Sequence, residues 1–383
     1  MRRKTIIMTF QKKMNKNKVI LGLSGGVDST TAALLLKDKG YDVTGLYFDI
    51  HDEASPTYRP LRERAEKAAE QLGIGFIYRN VADIFDDIVI GNFCREYACG
   101  HTPNPCIVCN PDVKLRTLLD AADETGAYHI ATGHYADTFY DEASGLWHIK
   151  MAANRRKDQS YMLYRLRQEA ISRLMLPLNE VEDKEEVRKL ARSKALENAD
   201  AKDSQEICFI DSGDNYKDFL ARRGVKPQEG DFTDAAGNIL GRHKGITHYT
   251  IGQRKGLGIA LGKPAFVTAI NSSTNEVVLG SNDDLFTTTV VSAQNILMGQ
   301  DTATCGDQAM KYSGMEVTAK IRYASKPAAA HINIDSSGSI TTEFAEPQRA
   351  VTPGQSVVFY KDDIVVGGGF IVWEKPAVKQ ISG

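Results

Sequence analysis

Two cysteines in the segment TPNPCIVCN, residues 102–110, are the side chains of this sequence best suited to covalent chemistry. Cys106 and Cys109 are separated by two residues, and Cys94 and Cys99 precede them. A remote cysteine, Cys208, follows charged and amide residues in KDSQEICFI. Thiols can bind metal, form disulfides or carry sulfur, so the pair by itself leaves all three roles open.

Spacing and number narrow the choice. Six cysteines are too few for a disulfide scaffold in 383 residues, and four of them fall between Cys94 and Cys109, which favours a local role. The spacing C-x4-C-x6-C-x2-C lacks the two paired knuckles of most structural zinc sites. Cys94, Cys99 and Cys305 are interpreted as unreactive loop thiols.

A second chemical motif is SGGVDST, which follows the apolar run KVILGL and leads into TAALLLKDKG. This order predicts a strand, a glycine turn and a helix that ends at Gly40, with backbone N–H groups and a helix N-terminus around a phosphate. No lysine follows the glycines, so the loop is not of the Walker type. Asp28 beside a phosphate implies magnesium between them. The alternative is a structural turn capped by Asp-Ser.

The surrounding elements predict how these residues are positioned. Strands are expected at 18–23, 41–50, 74–80 and 126–137, and helices at 61–73 and 113–125. This alternation favours a doubly wound α/β fold, a parallel sheet with helices on both faces. Ligands bind such sheets at the carboxyl ends of the strands, where the strand order reverses, and the turn from Ser24 to Ser29 lies at such an end.

The residue composition and the predicted secondary structure change after about residue 210. A Gly-rich stretch with short β runs is followed by strand-like runs such as TTTVVSA, MEVTAKIRYA and QSVVFYKDDIVVGGGFIVW. These predict a β-rich C-terminal part of the chain that ends in a small β barrel or sandwich. The expected division is a basic, disordered tail at 1–17, a doubly wound α/β domain with the cysteines at 18–212, a small β-rich central domain at 213–281 and a C-terminal β barrel or sandwich at 282–378.

Composition limits the partners. The net charge is −2, so a nucleic-acid surface requires local basic clusters. Such clusters occur at 155–157, 188–194, 242–244 and 254–255, where QRKGLG places Arg254 and Lys255 on a glycine-hinged loop. No apolar run approaches the ~18 residues that would cross a bilayer, so no membrane partner is expected. A mitochondrial address in the basic tail is disfavoured, since the tail has no serine.

The loop SGGVDST resembles the ATP-pyrophosphatase superfamily, whose members split ATP between the α and β phosphates and activate a carbonyl oxygen with AMP. A cysteine pair and a remote cysteine beside such a site have a simple joint interpretation. A carbonyl oxygen is adenylated, and sulfur carried as a persulfide replaces it. A second thiol then takes up the sulfur atom that remains on the protein, forming a disulfide.

Seven motifs in order make the resemblance closer: TPNPCIVCN, ATGHY, KDQSYMLYRL, KDSQEICFI, YTIGQRKGLGI, AKIRY and PQRAVTPGQ. Together they are similar to the bacterial tRNA-specific 2-thiouridylase family over nearly the whole chain beyond the tail. The resemblance implies an ATP-pyrophosphatase domain, a small central domain and a β barrel. It also implies a cytoplasmic transferase that makes 2-thiouridine at the wobble position of tRNA.

Residue roles follow from the matching motif positions. Cys109 takes the nucleophile position and Cys208 the persulfide position. The target base is expected at Asn104, Pro105 and Cys106, although some family members have Asp where Cys106 stands. ATP contacts are expected at Gly22, Leu23, Ser24, Gly25, Gly26, Val27, Asp28, Ser29, Phe48 and Gly133. Contacts with tRNA are expected at His134, Lys157, Asp158, Gln159, Arg322, Tyr323 and Gln355.

The cofactor and partner predictions are ATP with magnesium, a tRNA with the wobble uridine of Lys, Glu or Gln acceptors, and a sulfur donor that is a cysteine desulfurase or a relay protein. An iron–sulfur cluster on Cys106, Cys109 and Cys208 is an open variant. Two alternatives remain. One is another adenylating or amidating enzyme of the superfamily, which would not need Cys109 or Cys208. The other is a cysteine-ligated metal-binding protein without turnover.

Overall fold

The structure, a computed structural model, describes residues 14–51, 59–181, 183–194, 207–211, 213–297, 300–301 and 310–372. Most of the predicted basic tail, the first part of KDSQEICFI and Cys305 lie outside these residues. Within them, no helix has both the length and the apolar character needed to cross a membrane.

Strands occur along the whole described chain and dominate its C-terminal half. In chain order they are β1 (Asn15–Gly22), β2 (Asp42–Asp49), β3 (Gly75–Asn80), β4 (Ala127–Ala131), β5 (Ala136–Asp141), β6 (Leu146–Met151), β7 (Leu174–Met175), β8 (Gly230–Thr233), β9 (Ile239–His243), β10 (Phe266–Asn271), β11 (Glu276–Gly280), β12 (Phe286–Leu297), β13 (Gln300–Asp301), β14 (Met315–Lys320), β15 (Ala328–Ile334), β16 (Ile340–Arg349), β17 (Ser356–Lys361) and β18 (Ile364–Val372).

The helices are concentrated in the N-terminal half. They are α1 (Val27–Asp38), α2 (Arg59–Leu72), α3 (Ala82–Phe85), α4 (Gly91–Ala98), α5 (Pro105–Cys109), α6 (Arg116–Thr125), α7 (Gln168–Ile171), α8 (Lys184–Ser193) and α9 (Tyr216–Arg222). Two π-helical segments, Asp86–Ile90 and Asn110–Leu115, and three 3₁₀ turns, Ser160–Leu163, Ile246–His248 and Asp283–Leu285, complete the set.

The N-terminal unit is built on a five-stranded parallel sheet in the order β3-β2-β1-β4-β7. The chain moves from β1 to one side for β2 and β3 and returns to its other side for β4, so the strand order reverses at β1. The predicted doubly wound sheet is confirmed, and the SGGVDST loop follows the strand at the reversal, as expected for a ligand site.

Sequence periodicity explains the helices that flank this sheet. In α2 the buried residues are Ala65, Ala68, Ala69 and Leu72, at helical spacing, while charged residues cover the other face. Helix α1 is buried along most of its length and ends before Gly40, whose φ of +86° closes it as predicted. Strand β1 begins at Asn15 rather than Lys18, so part of the segment predicted as tail is strand.

The central unit is a four-stranded sheet in the order β10-β11-β8-β9. Beyond it, β12 pairs with both β16 and β18, and this closes the ring β12-β16-β15-β14-β17-β18. The six strands form the predicted C-terminal barrel around a core that includes Ile332, Val357 and Phe359, all fully buried.

The segment 126–137 does not form the single strand that its sequence predicts. Strand β4 ends at Ala131, a loop follows, and β5 begins a hairpin with β6. This hairpin leaves the N-terminal sheet and joins the barrel, where Lys150 of β6 pairs with Ile364 of β18. The N-terminal unit and the barrel are therefore connected by main-chain pairing as well as by side chains.

Candidate active site

The SGGVDST loop forms a compact turn at the N-terminus of α1. Ser29 Oγ donates to the carbonyl of Gly26 at 3.1 Å and lies 3.1 Å from Ser24 Oγ. Gly25 has a φ of +70°, and a Cβ there would lie 2.7 Å from the backbone nitrogen of Ala65 in α2. Glycine is therefore required at this position. The loop presents backbone and hydroxyl groups at the positive end of a twelve-residue helix.

The loop after β4 packs directly onto this helix end. A Cβ on Gly133 would lie 3.0 Å from the backbone nitrogen of Ser29. Asp28 in the first turn of α1 accepts a hydrogen bond from the Tyr135 hydroxyl at 2.8 Å. Phe48, at the end of β2, lies against Gly22, where a Cβ would approach its ring to 3.2 Å. The ends of β1, β2 and β4 thus lie together at the N-terminus of α1.

Among the other residues predicted to contact ATP, Leu23 and Val27 are buried. The Leu23 backbone N–H donates to the carbonyl of Leu46 at 2.8 Å, which fixes the start of the loop to the sheet. These two residues position the loop, and any contact they make with a nucleotide must come from their main chain.

The cysteine pair lies on α5, a single helical turn. Asn104 caps this turn, since its Oδ1 accepts from the Cys106 N–H at 3.2 Å, and Pro105 occupies the first helical position. The two thiols differ in exposure, because Cys106 is exposed whereas Cys109 is 5% exposed. Cys106 faces outward and Cys109 faces the protein interior.

The residues just before α5 are held by the barrel. The Thr102 N–H donates to the carbonyl of Pro353 at 2.9 Å, and Gln355 Nε2 donates to the carbonyl of Thr102 at 2.7 Å. Gln355, which the family resemblance assigns to tRNA contact, uses its amide nitrogen to hold this loop. The TPGQ motif therefore supports TPNPC across some 250 residues of sequence.

The segment Gln159–Met162 makes hydrogen bonds to residues beside the SGGVDST loop and beside α5, the turn that holds the two cysteines. Gln159 accepts from the Tyr135 N–H at 3.0 Å and donates its own N–H to the Tyr135 carbonyl at 2.7 Å. Three residues later, the Met162 carbonyl accepts from Asn110 Nδ2 at 3.0 Å. Asn110 follows Cys109 directly and is 1% exposed. The segment Gln159–Met162 thus fixes the position of Asn110, next to Cys109, relative to Tyr135, whose hydroxyl donates to Asp28 of the SGGVDST loop.

The thiols of Cys106, Cys109 and Cys208 interact electrostatically with the same lysine, Lys114. Burial raises the pKa of Cys109 to about 12, with the Lys114 charge opposing the rise. Cys208 is exposed, and the protein around it still raises the pKa of its thiol by desolvation, a rise that the Lys114 charge opposes. The structure therefore brings the two predicted sulfur-handling cysteines into one group with Cys106.

Lys114 was missed by sequence reasoning, which interpreted 113–125 only as a helix. Burial lowers the pKa of Lys114, but the negative charge that Cys109, Cys106 and Cys208 carry as thiolates raises it by more, so the pKa of Lys114 is raised overall. The signal that the sequence offered for a buried lysine was its place between two apolar residues, Val113 and Leu115, both of which are buried in the structure. Buried lysines are rare unless they are paired or functional.

Two further residues predicted to contact tRNA, Asp158 and His134, differ in burial and in the hydrogen bonds that they can offer. Asp158 is 6% exposed and accepts from the Ala152 N–H at 3.0 Å and the Ser160 hydroxyl at 2.8 Å, so its carboxylate is used inside the protein. Burial lowers the pKa of His134 to about 3, and Lys114 adds to that effect. His134 is therefore neutral at physiological pH and can offer hydrogen bonds but not charge.

Arg322 and Tyr323 follow β14 at the end of the barrel. Arg322 is exposed and donates to the Arg349 carbonyl at 3.2 Å. The Tyr323 ring is half-buried, 6.1 Å from the Tyr161 ring, and the Lys320 ammonium lies 5.6 Å from its centroid. Lys157 is also partly exposed.

The comparisons with known proteins place this site in a class. Three family models match in succession: a tRNA methyl transferase HUP domain over residues 17–212, a tRNA methyl transferase PRC-barrel domain over 217–281 and an aminomethyltransferase β-barrel domain over 294–371. A parallel sheet with SGGVDST at its reversal point defines the first unit as a nucleotide-binding HUP domain.

The relatives identify the family within that class. The tRNA-specific 2-thiouridylase MnmA of Lachnoclostridium phytofermentans is 46% identical, with 93% of this chain and 99% of that protein covered. The protein of the same name from Clostridium perfringens is 44% identical, with 94% and 99% covered. This chain belongs to the tRNA-specific 2-thiouridylase family.

A solved structure shares part of the fold. The U34-tRNA thiolase NcsA from Methanococcus maripaludis, with its [4Fe-4S] cluster, is 19% identical, covers 56% of this chain and 65% of its own, and has a TM-score of 0.33. At that TM-score the likeness is too weak to bear on the site.

Proposed function

We infer that this protein catalyses the ATP-dependent 2-thiolation of a uridine in tRNA. The observation that carries this conclusion is that the segment Gln159–Met162 makes hydrogen bonds both to Tyr135, which contacts the SGGVDST loop, and to Asn110, which follows Cys109. A loop suited to the phosphates of ATP lies at one end of this segment, and a group of thiols lies at the other. Adenylation alone would need only the first, and a thiol–disulfide protein only the second.

The phosphate end would bind ATP with magnesium. Main-chain groups of the Ser24–Gly26 turn and the hydroxyl of Ser29 would hold the phosphates, while Gly22 and Phe48 would lie along the nucleoside. Asp28 supplies the carboxylate of the loop and fits a magnesium ion, which prefers carboxylate and phosphate oxygens. The bound ion would neutralise charge on the departing pyrophosphate.

The exposed start of α5 would receive the target base. The base must leave the anticodon stack to bring its 2-carbonyl oxygen to the α phosphate of ATP. Asn104, Pro105 and Cys106 would contact the flipped uracil, a role supported by the exposure of Cys106 and the partial exposure of the two residues before it. Attack of that oxygen on the α phosphate releases pyrophosphate and leaves AMP on the base.

The sulfur steps would then use two thiols. A persulfide on Cys208 attacks C2, and AMP leaves with the original oxygen. The Cys109 thiolate next attacks the Cys208 sulfur, and the bond from Cys208 to the transferred sulfur breaks. That sulfur keeps the electron pair and becomes the thiocarbonyl, while Cys109 and Cys208 are oxidised to a disulfide. A thiol reductant restores the enzyme.

A metal-based version of this chemistry has less support. Within the described residues, no three Cys, His, Asp or Glu side chains are arranged to hold a metal ion. Cys106, Cys109 and Cys208, which all interact electrostatically with Lys114, do not form such a group either. We therefore assign no step to an iron–sulfur centre.

The partners are proposed from the family. The substrate would be the wobble uridine of tRNA with Lys, Glu or Gln acceptors, and the sulfur would come from a cysteine desulfurase or a relay protein, in the cytoplasm. His134, Lys157, Gln159, Arg322 and Tyr323 would position the anticodon arm near α5. Asp158 and Gln355 would act by holding the segments that carry those contacts.

Nucleoside mass spectrometry tests the function. Purified protein is incubated with ATP, magnesium, an unmodified tRNA transcript bearing a wobble uridine and a persulfide source. We expect 2-thiouridine and AMP in equal amounts, with none in reactions lacking ATP. AMP without 2-thiouridine would favour another adenylating enzyme. Neither product, together with one zinc atom per chain in anaerobically purified protein, would favour a metal-binding protein.

Loss of Arg254 or Lys255 is expected to weaken tRNA binding without affecting the chemistry. Both side chains are exposed on the loop after Gly252, whose φ is +84°. Each alanine variant should raise the apparent KM for tRNA and reduce the slope of log affinity against log salt by about one unit, since one phosphate contact is lost. The exposed Lys39→Ala, at the far end of α1, is the control. An unchanged slope would move the tRNA surface elsewhere.

A further inference from the structure

The sulfur steps pose an electrostatic problem at Cys109. Its thiol is buried, and burial raises its pKa to about 12, so it carries a proton at physiological pH. A disulfide forms only from a thiolate. The nearby carboxylate of Asp112 opposes deprotonation of Cys109. The charges of Arg165 and Arg167 act on Asp112 rather than on the thiol.

Lys114 is placed to solve this problem. It lies in the π-helical segment Asn110–Leu115, which directly follows Cys109. A π-helical turn closes between residues five apart, so Lys114 follows Cys109 onto the same side of the chain. Val113 and Leu115 are each 1% exposed and anchor the segment on both sides of the lysine. The position of the lysine is therefore set by packing.

The ammonium group has no competing partner in the described part of the chain. No described acceptor within hydrogen-bond reach engages it, and no described carboxylate forms an ion pair with it. The groups that share its surroundings are the thiols of Cys106, Cys109 and Cys208, and the neutral ring of His134. A partly buried cation that interacts electrostatically with three thiols stabilises whichever of them becomes anionic.

We propose that Lys114 is a positioning residue for sulfur transfer, whose ammonium charge stabilises the thiolate and persulfide anions at Cys109 and Cys208. This assignment rests on the function proposed above. In the resolving step, Cys109 loses a proton and attacks Cys208. The C2–sulfur group released from Cys208 becomes the thiocarbonyl, and ring atom N3 takes up a proton through solvent. Lys114 keeps its own proton throughout, so atoms and electrons balance without a further reactant.

Thiol reactivity tests this proposal without turnover. Full-length wild type, Lys114→Met, Lys114→Gln and Lys114→Arg are treated with iodoacetamide at pH 7.5, and modification of each cysteine is followed by peptide mass spectrometry. Removing the charge should slow alkylation of Cys208 and Cys109 by about tenfold, the effect of one pKa unit on the thiolate fraction. Lys114→Arg should restore most of the rate. Lys39→Met is the matched control.

The same variants are compared in single-turnover 2-thiouridine formation. Lys114→Met and Lys114→Gln should each fall by about tenfold or more, and Lys114→Arg should recover. Wild-type alkylation rates in both neutral variants would overturn the proposal, and so would equal losses in the neutral and arginine variants. If wild type makes no 2-thiouridine while the alkylation difference persists, the proposed function fails and the role of Lys114 towards the thiols stands.

Discussion

Replacing Cys208 with serine is expected to abolish 2-thiouridine formation while ATP cleavage continues. In the proposed mechanism adenylation uses neither thiol, because ATP is proposed to bind at the turn Ser24–Ser29 and the loop at Gly133, which pack against each other. Serine cannot accept a persulfide, so the adenylated base would receive no sulfur. The measurements are AMP by chromatography and 2-thiouridine by mass spectrometry, in the same reactions with tRNA present.

Cys109→Ser should fail at a later step. This variant should still be loaded with sulfur on Cys208 and should still cleave ATP, but it should release no product unless an external reductant replaces the missing thiol. Wild type after one turnover without reductant should contain a linked Cys109–Cys208 peptide pair. Together with the result for Cys208→Ser, these outcomes would separate the loading of sulfur onto Cys208 from its release to the base, because each substitution would block a different step.

Two other cysteines serve as comparisons. Cys99, exposed at the end of α4, should be replaceable by serine without loss. Cys106→Ser should retain partial activity, since Cys106 faces outward and some family members have Asp there. If Cys106 is as essential as Cys109 and Cys208, the two-cysteine mechanism is wrong and a three-cysteine cluster becomes the better explanation.

Asp28→Ala should abolish AMP formation, by at least about 100-fold, while the fold is retained. Removing a group that organises charge at the transition state typically has an effect of this order. Asp28 would hold magnesium against the pyrophosphate, and it also accepts a hydrogen bond from Tyr135 at 2.8 Å. The alanine variant removes both interactions, so it cannot tell them apart by itself.

Two matched variants separate the two roles of Asp28. Asp28→Asn keeps an acceptor for the Tyr135 hydroxyl but loses the charge, and it should be nearly as inactive as the alanine variant. Tyr135→Phe removes only the hydrogen bond and should retain most activity. The readouts are AMP formation and thermal unfolding of each variant. Wild-type ATP cleavage in Asp28→Ala would refute the assignment of the loop.

Local patterns in the sequence determined the fold class. Alternating strands and helices predicted the parallel sheet, and the strand-rich C-terminal runs predicted a barrel or sandwich, because burial on a sheet or helix face imposes a repeat that a short window of sequence displays. The closing pair of β12 and β18 shows that it is a barrel. SGGVDST and the cysteine motifs were found in the same way. Each is a short segment whose residue types already limit its chemistry, so the candidate residues and the family resemblance follow from the sequence alone.

What only the tertiary structure decided is how these segments meet. Three contacts join residues far apart in the chain. Strand β6 of the β5–β6 hairpin pairs with β18, and the Gln355 side chain donates a hydrogen bond to Thr102. The segment Gln159–Met162 makes hydrogen bonds to Tyr135 at one end and to Asn110 at the other. Local periodicity carries no record of such pairings, since it reports only which face of an element is buried. Lys114 became a candidate for the same reason: a lysine in a helical run is ordinary until folding brings it into electrostatic interaction with three thiols.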